Sequence, residues 1–537
     1  MQITSEWGQL EVVNSLAQGK SKAELIRSLQ SIGMKGELNA MQHGYASDVT
    51  TCLAHGDPDV VAAALEALGN MGEEGAWYMD EIGTHIRASN SKVRAAAVAA
   101  LGMFGSQSLR YEDQVSQLIN DKAEVVKAGA IAALGQIGAE EKMETVSKFL
   151  DNPSPVIAAA ACQAMGAFSA SAEGYADAVA KKLADEKLRS AAMSAIANLG
   201  PGVNEKYMDE IITKCLGDKD SITRQTAANA LGAIGTAVLQ SPTSAQKIVA
   251  LLKSNIVGVR CSAALAFGYM GEAAGTGYSE AVAELLSDPE QDSSELYLQL
   301  GGGTPRLPPA SRRPKCAALI ALGMMSAGTQ AKECAKALCD ESYEVRLCAI
   351  ECLSGMGDAG RACSTDIASC LEDENFYVRM KACECIGTLK ADDAMLQLSD
   401  RFEDTSPSVR VATIYAVMES PDVLEGFVTE IYKCLSDSVP AVKQAAIFAI
   451  GYMGLTGQAY ASLIATFLND QDGGVRSAAC SSLSGLGQRG AAYWEEIEAM
   501  LHNDESPAVR AAAEKALDDI GAGTAWEEEV GAIADGE

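Results

Sequence analysis

One short pattern recurs along most of this 537-residue chain. A Val is followed by a basic residue, a run of small and apolar residues, and a Gly, as in "VRAAAVAALGMFG" from Val93, "VRLCAIECLSGMG" from Val345 and "VKQAAIFAIGYMG" from Val442. A fixed period of roughly 20 to 50 residues is the signature of a repeat architecture. This recurrence therefore constrains the fold more than any other feature of the sequence.

The first Val of the pattern defines a register residue for each repeat. Successive register residues are 31 to 36 residues apart, except that 55 residues separate Val259 from Pro314. They are Val60, Val93, Val126, Ile157, Leu188, Thr223, Val259, Pro314, Val345, Val378, Val409, Val442, Val475 and Val509.

Each repeat is predicted to be a pair of helices. The second helix begins at the register residue and usually closes with a Gly suited to a left-handed cap. The first helix of the next repeat follows, as in "YMDEIITKCLGD". One pair cannot bury its apolar stripe alone, but stacked pairs can. We therefore predict an all-α fold, an α-α superhelix of about fourteen helical hairpins.

The repeats divide the chain into five segments. An irregular helical N-terminal cap is expected over residues 1–48, and repeats over 49–285 and 314–521. A segment rich in Gly, Pro and Arg, residues 286–313, interrupts the two blocks, and residues 522–537 form an acidic C-terminal tail.

A polar pair recurs with the same period and is predicted to be structural. Asp lies five residues before the register residue and a basic residue lies one after it. The Asp can cap the second helix, and the basic group can reach the Asp of its own or the adjacent repeat. This predicted ladder comprises Asp340 and Arg346, Asp404 and Arg410, Asp437 and Lys443, Asp470 and Arg476, and Asp504 and Arg510.

The units "DESYEVRLCAIECLSGMG" and "DSVPAVKQAAIFAIGYMG" resemble HEAT repeats, especially the short class also found in phycobilisome-lyase-type HEAT-like proteins. The resemblance covers about Val60 to Gly521. It implies an α-solenoid scaffold for protein partners. It does not specify which partners, because this fold serves phosphatase scaffolds, transport receptors, cytoskeletal scaffolds and a few enzymes.

The charge balance disfavours two classes of partner. Lys and Arg number 42 against 72 Asp and Glu, a net charge of −30. Such a chain repels phosphate backbones and anionic membrane surfaces. No apolar run reaches the roughly 18 residues of a membrane helix, and no basic-then-apolar leader opens the sequence. We expect no nucleic acid, no membrane insertion, and a cytoplasmic protein that is not secreted.

No residue pattern supports catalysis or a cofactor. The four His lack an HExxH arrangement, and no phosphate-binding loop or nucleophile elbow is present. Cys348 and Cys352 lie one helical turn apart, but Cys162, Cys383 and Cys480 occupy positions filled by aliphatic residues in other repeats. We interpret the cysteines as core residues and expect no metal site. Seven Tyr recur near the start of the first helix, and we interpret them as packing residues.

From Leu296 to Lys315, across the end of the interrupting segment, there are four basic residues, Arg306, Arg312, Arg313 and Lys315, and no acidic residue. They could form a partner-binding loop. The alternatives are a tolerated loop and translated noncoding sequence.

The predicted function is a non-enzymatic scaffold or adaptor that binds protein partners along an extended acidic surface. Partners with basic segments are favoured, because a strongly negative surface attracts them. The setting could be a cytoskeletal, ciliary or regulatory complex. The alternatives are a modifying enzyme of the bilin-lyase type and a transport receptor for basic cargo.

Overall fold

Two local features begin many of the second helices, a capping side chain or a Pro in the first turn. At Asp57 and Asn90 the side chain accepts the backbone N–H two residues later, at 2.9 and 2.8 Å, which caps the helix that follows. In other repeats Pro occupies the first turn, as in Pro155 and Pro440, where its missing N–H costs nothing. Alanine-rich sequence then carries the helix for three or four turns.

The structure is a computed structural model that describes residues 21–35, 45–288 and 313–534. We number its longer, repeat-defining helices α1 to α15. They are α1 Lys22–Lys35, α2 Pro58–Gly69, α3 Ser91–Met103, α4 Glu124–Gln136, α5 Pro155–Ala167, α6 Arg189–Leu199, α7 Ser221–Ala233, α8 Val257–Tyr269, α9 Pro314–Met324, α10 Tyr343–Ser354, α11 Phe376–Thr388, α12 Pro407–Met418, α13 Pro440–Tyr452, α14 Gly473–Gly485 and α15 Pro507–Ala534.

Shorter first helices alternate with these second helices, and many end in a 3₁₀ turn. They are Tyr45–Thr51, Met79–Thr84, Glu112–Gln117, Met143–Ser147, Ala176–Ala180, Met208–Glu210, Pro242–Leu251, Glu272–Ala283, Ala331–Lys336, Ser364–Ser369, Asp392–Met395, Val428–Cys434, Ala461–Thr466 and Trp494–Asn503. Short helical turns precede several of them: Glu73–Ala76, Pro201–Lys206, Gly235–Gln240, Asp358–Arg361, Pro421–Gly426 and Gly487–Ala491.

The all-α helical-hairpin prediction is confirmed, and the residues described contain no strand. The predicted register residues lie in the first turns of α2 to α15, except that Leu188 is the residue before α6. Helix α1 packs on α2 as a further second helix, within the segment predicted to be an irregular cap. Helix α15 continues to Ala534, through most of the predicted acidic tail.

The chain forms two compact units, Met1–Ser254 and Asn255–Glu537. The boundary lies before the interrupting segment, of which only residues 286–288 and 313 are among those described. Each unit has its own core, in which the register residues are buried, as Val126 and Val409 show with no exposed surface.

The left-handed cap conformation after the second helix occurs at residues other than the predicted Gly as well. Positive φ angles occur at the predicted Gly105, Gly138, Gly271, Gly357 and Gly454, but Gly235 instead begins a helical turn. Ser169, Ser326 and Lys390 hold the same conformation at the equivalent position of their repeats.

A second recurring Gly, nine residues after the register residue, lies inside the helix and allows the close packing of successive second helices. A Cβ at Gly135 would lie 2.5 Å from the Cα of Ala164, and one at Gly387 would lie 2.7 Å from the Cα of Ala416. Both neighbours lie seven residues after their own register residue. The same contact joins Gly69 to Ala100, Gly166 to Ala195, Gly268 to Ala321, Gly323 to Cys352 and Gly451 to Ser482.

This close approach predicts opposite effects for two Gly to Ala substitutions in α4. Gly135→Ala should lower the free energy of unfolding by about 1–3 kcal/mol, because the added methyl meets backbone that cannot move away freely. Gly129→Ala is the matched control, since its Cβ would meet no atom within 4 Å. Removing a helical Gly there should raise stability by about 0.5–1 kcal/mol. Urea unfolding followed by circular dichroism measures both, and equal effects would contradict the packing argument.

Candidate functional site

The charged ladder joins each repeat to the next through its Asp. Arg379 donates from Nε and Nη2 to both carboxylate oxygens of Asp404 at 2.8 Å. Its Nη1 donates to the backbone oxygen of Asp373, in the turn before its own helix, at 2.8 Å. The Asp404 side chain is 3% exposed and that of Arg379 is 12% exposed. A two-pronged pair in this setting fixes the geometry of both partners.

The predicted ladder residues pair one repeat further along than their grouping in the sequence. Arg346 pairs with Asp373, Arg410 with Asp437, Lys443 with Asp470 and Arg476 with Asp504. The partner of Asp340 is Lys315, at 2.6 Å. Arg510 donates to the backbone oxygens of Asp504 and Glu505.

The ladder Asp side chains bind the backbone of the N-cap residue rather than capping the second helix themselves. Asp340 accepts the N–H of Ser342 at 2.9 Å, and Ser342 occupies the N-cap position of α10. Asp404 does the same for Ser406 before α12. Each Asp therefore holds the cap residue in place and at the same time receives the Arg or Lys of the preceding repeat.

These contacts shift the pKa of the carboxyl groups. The Arg476 guanidinium holds the pKa of Asp504 below its usual range. Burial alone would raise the pKa of Asp404, but the hydrogen bonds from Arg379 and the Ser406 N–H outweigh it, so the pKa is lowered. Both groups are therefore held in the charged form.

The ladder is continuous in the second unit and interrupted in the first. From Arg260 with Asp288 to Arg476 with Asp504, every successive pair of second helices in the second unit has its ion pair. In the first unit, Arg94 pairs with Asp121 and Arg189 pairs with Asp218. Between them, Asn152 replaces the Asp and Ala158 replaces the basic residue, so no charged rung can form on either side of α5.

The structure describes two of the four residues of the suggested partner loop. Arg313 contacts Glu344 at 2.7 Å and donates to the hydroxyl of Ser342, and Lys315 belongs to the ladder. Both side chains are therefore engaged with the turn before α10. Arg306 and Arg312 lie outside the described residues.

Fourteen of the fifteen cysteines are buried, as interpreted from the sequence, and Cys339 is not. Cys348 and Cys352 are 4% and 1% exposed. Burial raises the pKa of Cys162 and of Cys383 to about 12. Cys339 is the one exposed thiol. In the part of the chain that the structure describes, no group of three His, Cys, Asp or Glu side chains could hold a metal ion.

Two of the recurring Tyr residues bridge adjacent first helices. Tyr111 donates to Asp80 at 2.5 Å, and Tyr207 donates to Asp177. The preceding residues, Arg110 and Lys206, pair with the same Asp residues at 2.7 Å. These tyrosines therefore contact the neighbouring repeat of their own chain.

The second helices of the first unit form an open apolar groove of about 760 Å³. Ala residues make up half of its lining, and Val125 and Val156 are 57% and 56% exposed. The residues that line it are Ile26, Gln30, Asp59, Ala62, Ala63, Glu66, Lys92, Ala95, Ala96, Ala99, Val125, Ala128, Gly129, Ala132, Val156, Ala159, Ala160 and Gln163. Asp59, the acidic group beside Lys92, is held by Lys22 and Lys92 at 2.7 Å.

The same helix face has a different chemistry in the second unit. Aromatic side chains are exposed there on three successive helices, Tyr377 on α11, Tyr415 on α12 and Tyr452 on α13, at 48%, 46% and 71%. Carboxylates alternate with them, since Glu384 and Glu419 also lie on this face and are exposed.

The sequence does identify the residues of these surfaces, but only when equivalent solvent-facing positions are compared across repeats. Solvent-facing residues of a second helix lie one before and two, six and ten after the register residue. Comparing these positions across repeats identifies Val125, Val156, Tyr415 and Tyr452 as departures from the usual small or charged residue.

The sequence profile of HEAT repeats matches residues 79–166, 111–200, 176–268 and 428–518, which together make up more than half of the chain. The chain belongs to the HEAT-repeat family. This confirms the resemblance, on segments that include α3 to α8 and the repeats around α13 and α14.

Solved HEAT-repeat structures share the fold. Importin beta, crystallised in an ammonium sulfate condition, matches with a TM-score of 0.57 and 15% identity, over 98% of this chain and 79% of that one. Kap95 in a Kap95:Nup1 complex matches with a TM-score of 0.62 and 12% identity, over 95% and 78%. Kap95p bound to RanGDP matches with a TM-score of 0.56 and 13% identity, over 96% and 75%. At these identities the similarity establishes the solenoid fold.

A search of curated proteins returned no match. Among the described helices, none combines the length and the apolar character needed to cross a membrane.

Removing the carboxylate of one ladder ion pair should lower the stability of the second unit far more than removing the charge of the adjacent residue, Glu403. Asp404→Asn should destabilise the second unit by about 3 kcal/mol, because it leaves the Arg379 guanidinium buried without its partner. The matched control is Glu403→Gln, whose ion pair with Lys433 is 73% and 61% exposed and should contribute no more than about 1 kcal/mol.

The ladder ion pairs also predict that the stability of the protein falls in acid. Because the pKa values of Asp404 and Asp504 are lowered in the folded state, their stabilising contribution is present above the unfolded pKa of about 3.9. It is lost as the pH falls further, through the lowered folded pKa. The midpoint of thermal unfolding should therefore fall steeply below about pH 4, and less steeply in Asp404→Asn. Identical pH profiles would contradict the role of this carboxylate.

Burial also predicts the order of thiol labelling. Under native conditions an alkylating reagent should modify Cys339 rapidly and leave Cys348 and Cys352 unmodified until the protein is denatured, because the reactive thiolate is disfavoured in the core. Mass spectrometry after timed quenching gives the rates. Fast native labelling of Cys348 would contradict the assigned packing.

Proposed function

We propose that the protein is a non-enzymatic scaffold or adaptor that holds protein partners on the exposed faces of its second helices. The observation that carries this proposal is the open groove of about 760 Å³ across α1 to α5. Its size and apolar lining suit a segment of polypeptide.

The floor of the groove favours a helical segment of the partner. Side chains such as Ala99, Ala132 and Ala159 are short, so a helix backbone could approach closely. Val125 and Val156 leave apolar surface in water that a bound segment would cover, at about 25 cal/mol for each Å² removed from solvent. Of the charged residues that line the groove, Asp59 and Lys92 are already paired with each other, so covering this pair requires no new counter-charge.

The net charge of −30 supports partners that carry basic segments. Long-range attraction would speed their encounter and favour them over acidic proteins. We place this activity in the cytoplasm, within a cytoskeletal, ciliary or regulatory assembly.

A transport receptor for basic cargo is the second candidate. It is supported by the shared solenoid fold, in which Kap95 of the Kap95:Nup1 complex gives a TM-score of 0.62. Partners recovered from the source cell separate the two, because an adaptor would co-purify with one stable assembly and a receptor with many cargo proteins.

Filling the groove tests the scaffold proposal. Ala95 lines the groove two residues after its register residue, and Ala95→Trp should occupy the space and reduce partner recovery about tenfold or more. Ala511→Trp is the matched control, at the same register of α15 and exposed. The measurement is affinity purification with cross-linking from the source cell, using each tagged variant.

Salt dependence tests the charge argument separately. Recovery should fall as salt rises from about 50 to 300 mM, since screening shortens the range of the attraction. Equal recovery with Ala95→Trp would reject the groove. Recovery that is insensitive to salt would reject selection of basic partners.

A further inference from the structure

One basic residue of the first unit, Arg224 on α7, is buried without a carboxylate partner. The residue is 7% exposed. Its Nη1 donates to the backbone oxygens of Asp218 and Lys219, at 2.9 and 2.8 Å. Its Nε is buried and has no hydrogen-bond acceptor in the part of the chain that the structure describes. Because a buried donor of a charged group is costly to leave unsatisfied, this Nε is an exception among the ladder arginines.

The conformation of Arg224 shows where an acceptor would bind. Like Arg346 and Arg379, Arg224 holds its Nη1 on the backbone oxygens six and five residues before it. In Arg346 and Arg379, Nε and Nη2 then donate to both oxygens of one Asp carboxylate, at 2.7 to 2.8 Å. We call Nε and Nη2 of Arg224 the donor edge. Its direction follows from the anchored guanidinium itself.

The nearby carboxylates are committed to other groups. Asp218 accepts the N–H of Asp220 at 2.7 Å and pairs with Arg189. Asp220 accepts the N–H and the hydroxyl of Thr223, at 2.7 and 2.6 Å. The residue at the next ladder position along the chain is Ser254 rather than Asp. Among the described residues, none forms an ion pair with Arg224.

We propose that the donor edge of Arg224 binds a small oxyanion from solution, of the size of phosphate, sulfate or acetate. Two oxygens of one such anion can accept from Nε and Nη2 in the parallel arrangement that the ladder carboxylates use. A chloride ion offers no pair of acceptors. The low exposure of Arg224 favours a small free anion, because a folded partner surface cannot approach a residue that is 93% enclosed.

The surroundings decide how such an anion binds. The turn before α7, which holds the guanidinium, reaches the surface at the exposed Lys219. The net charge of −30 repels anions at long range, so the affinity depends on the local pair of hydrogen bonds. Arg224 belongs to the first unit but does not line the apolar groove. The inference therefore goes beyond the proposed scaffold function and does not depend on it.

Thermal unfolding of the full-length protein in different salts tests the proposal. At equal ionic strength, phosphate, sulfate and acetate should each raise the midpoint above its value in chloride, because a ligand that binds only the folded state stabilises it. With saturating phosphate we expect a rise of about 2–4 °C. No rise with any of the three oxyanions would overturn the proposal.

Matched variants separate specific binding from the general stabilising effect of phosphate and sulfate. Arg224→Gln should lose the rise that exceeds this general effect, because it removes the charged donor edge. Arg87→Gln, which changes an exposed arginine of the same unit, should keep the rise. An equal rise in the two variants would show a general salt effect and would reject the site.

Ser254→Asp gives a second test that retains Arg224, for the case in which Arg224→Gln does not fold. The added carboxylate should pair with the donor edge, raise the midpoint in chloride and remove most of the further rise with phosphate. Ser106→Asp adds the same charge at an exposed position of the first unit and should do neither. If Ser254→Asp keeps the full rise with phosphate, the anion does not bind at the donor edge and the proposal fails.

Discussion

The close approach of successive second helices is the contact on which the rest of each unit depends. At Gly135 and Gly387 the helix gives up the intrinsic preference for Ala, about 1 kcal/mol, and in exchange the backbones meet without an intervening side chain. This contact joins the residue nine after one register residue to the residue seven after the next register residue. It therefore sets both the spacing and the offset of neighbouring helices. Apolar residues such as Ile131 and Ile414 then fill the core between them without exposed surface.

The ion-pair ladder, like the glycine contact, fixes the position of each second helix against the next. Glycines such as Gly135 and Gly387 act near the carboxyl end of their second helices, and the Arg–Asp pairs act at the amino end. A pair such as Arg379 with Asp404 is costly to desolvate, so its value lies in specifying one register between repeats. The second unit has this device throughout, whereas the first unit lacks it on both sides of α5. The apolar groove lies across α1 to α5, where α4 and α5 have no ladder ion pair between them.

The proposed function depends on residues that the packing leaves exposed. Once the register, glycine and ladder positions are committed to stacking, the solvent-facing positions are free to vary from repeat to repeat. In the first unit they include Ala95, Ala132 and the exposed Val125 and Val156, and in the second unit they include Tyr415, Glu419 and Tyr452. One repetitive framework thus presents two surfaces of different chemistry.

The sequence by itself determined the class of fold, the positions of the second helices and the burial of the cysteines other than Cys339. Each of these follows from local periodicity, because the same stretch of about 33 residues recurs and states its own pattern many times. Only the tertiary structure decided which Asp receives which Arg, why Gly387 lies inside a helix, and which exposed residues become neighbours. Asp340 and Arg346 are close in the sequence, yet their partners are Lys315 and Asp373, because the offset between stacked helices, rather than distance along the chain, brings charged groups together.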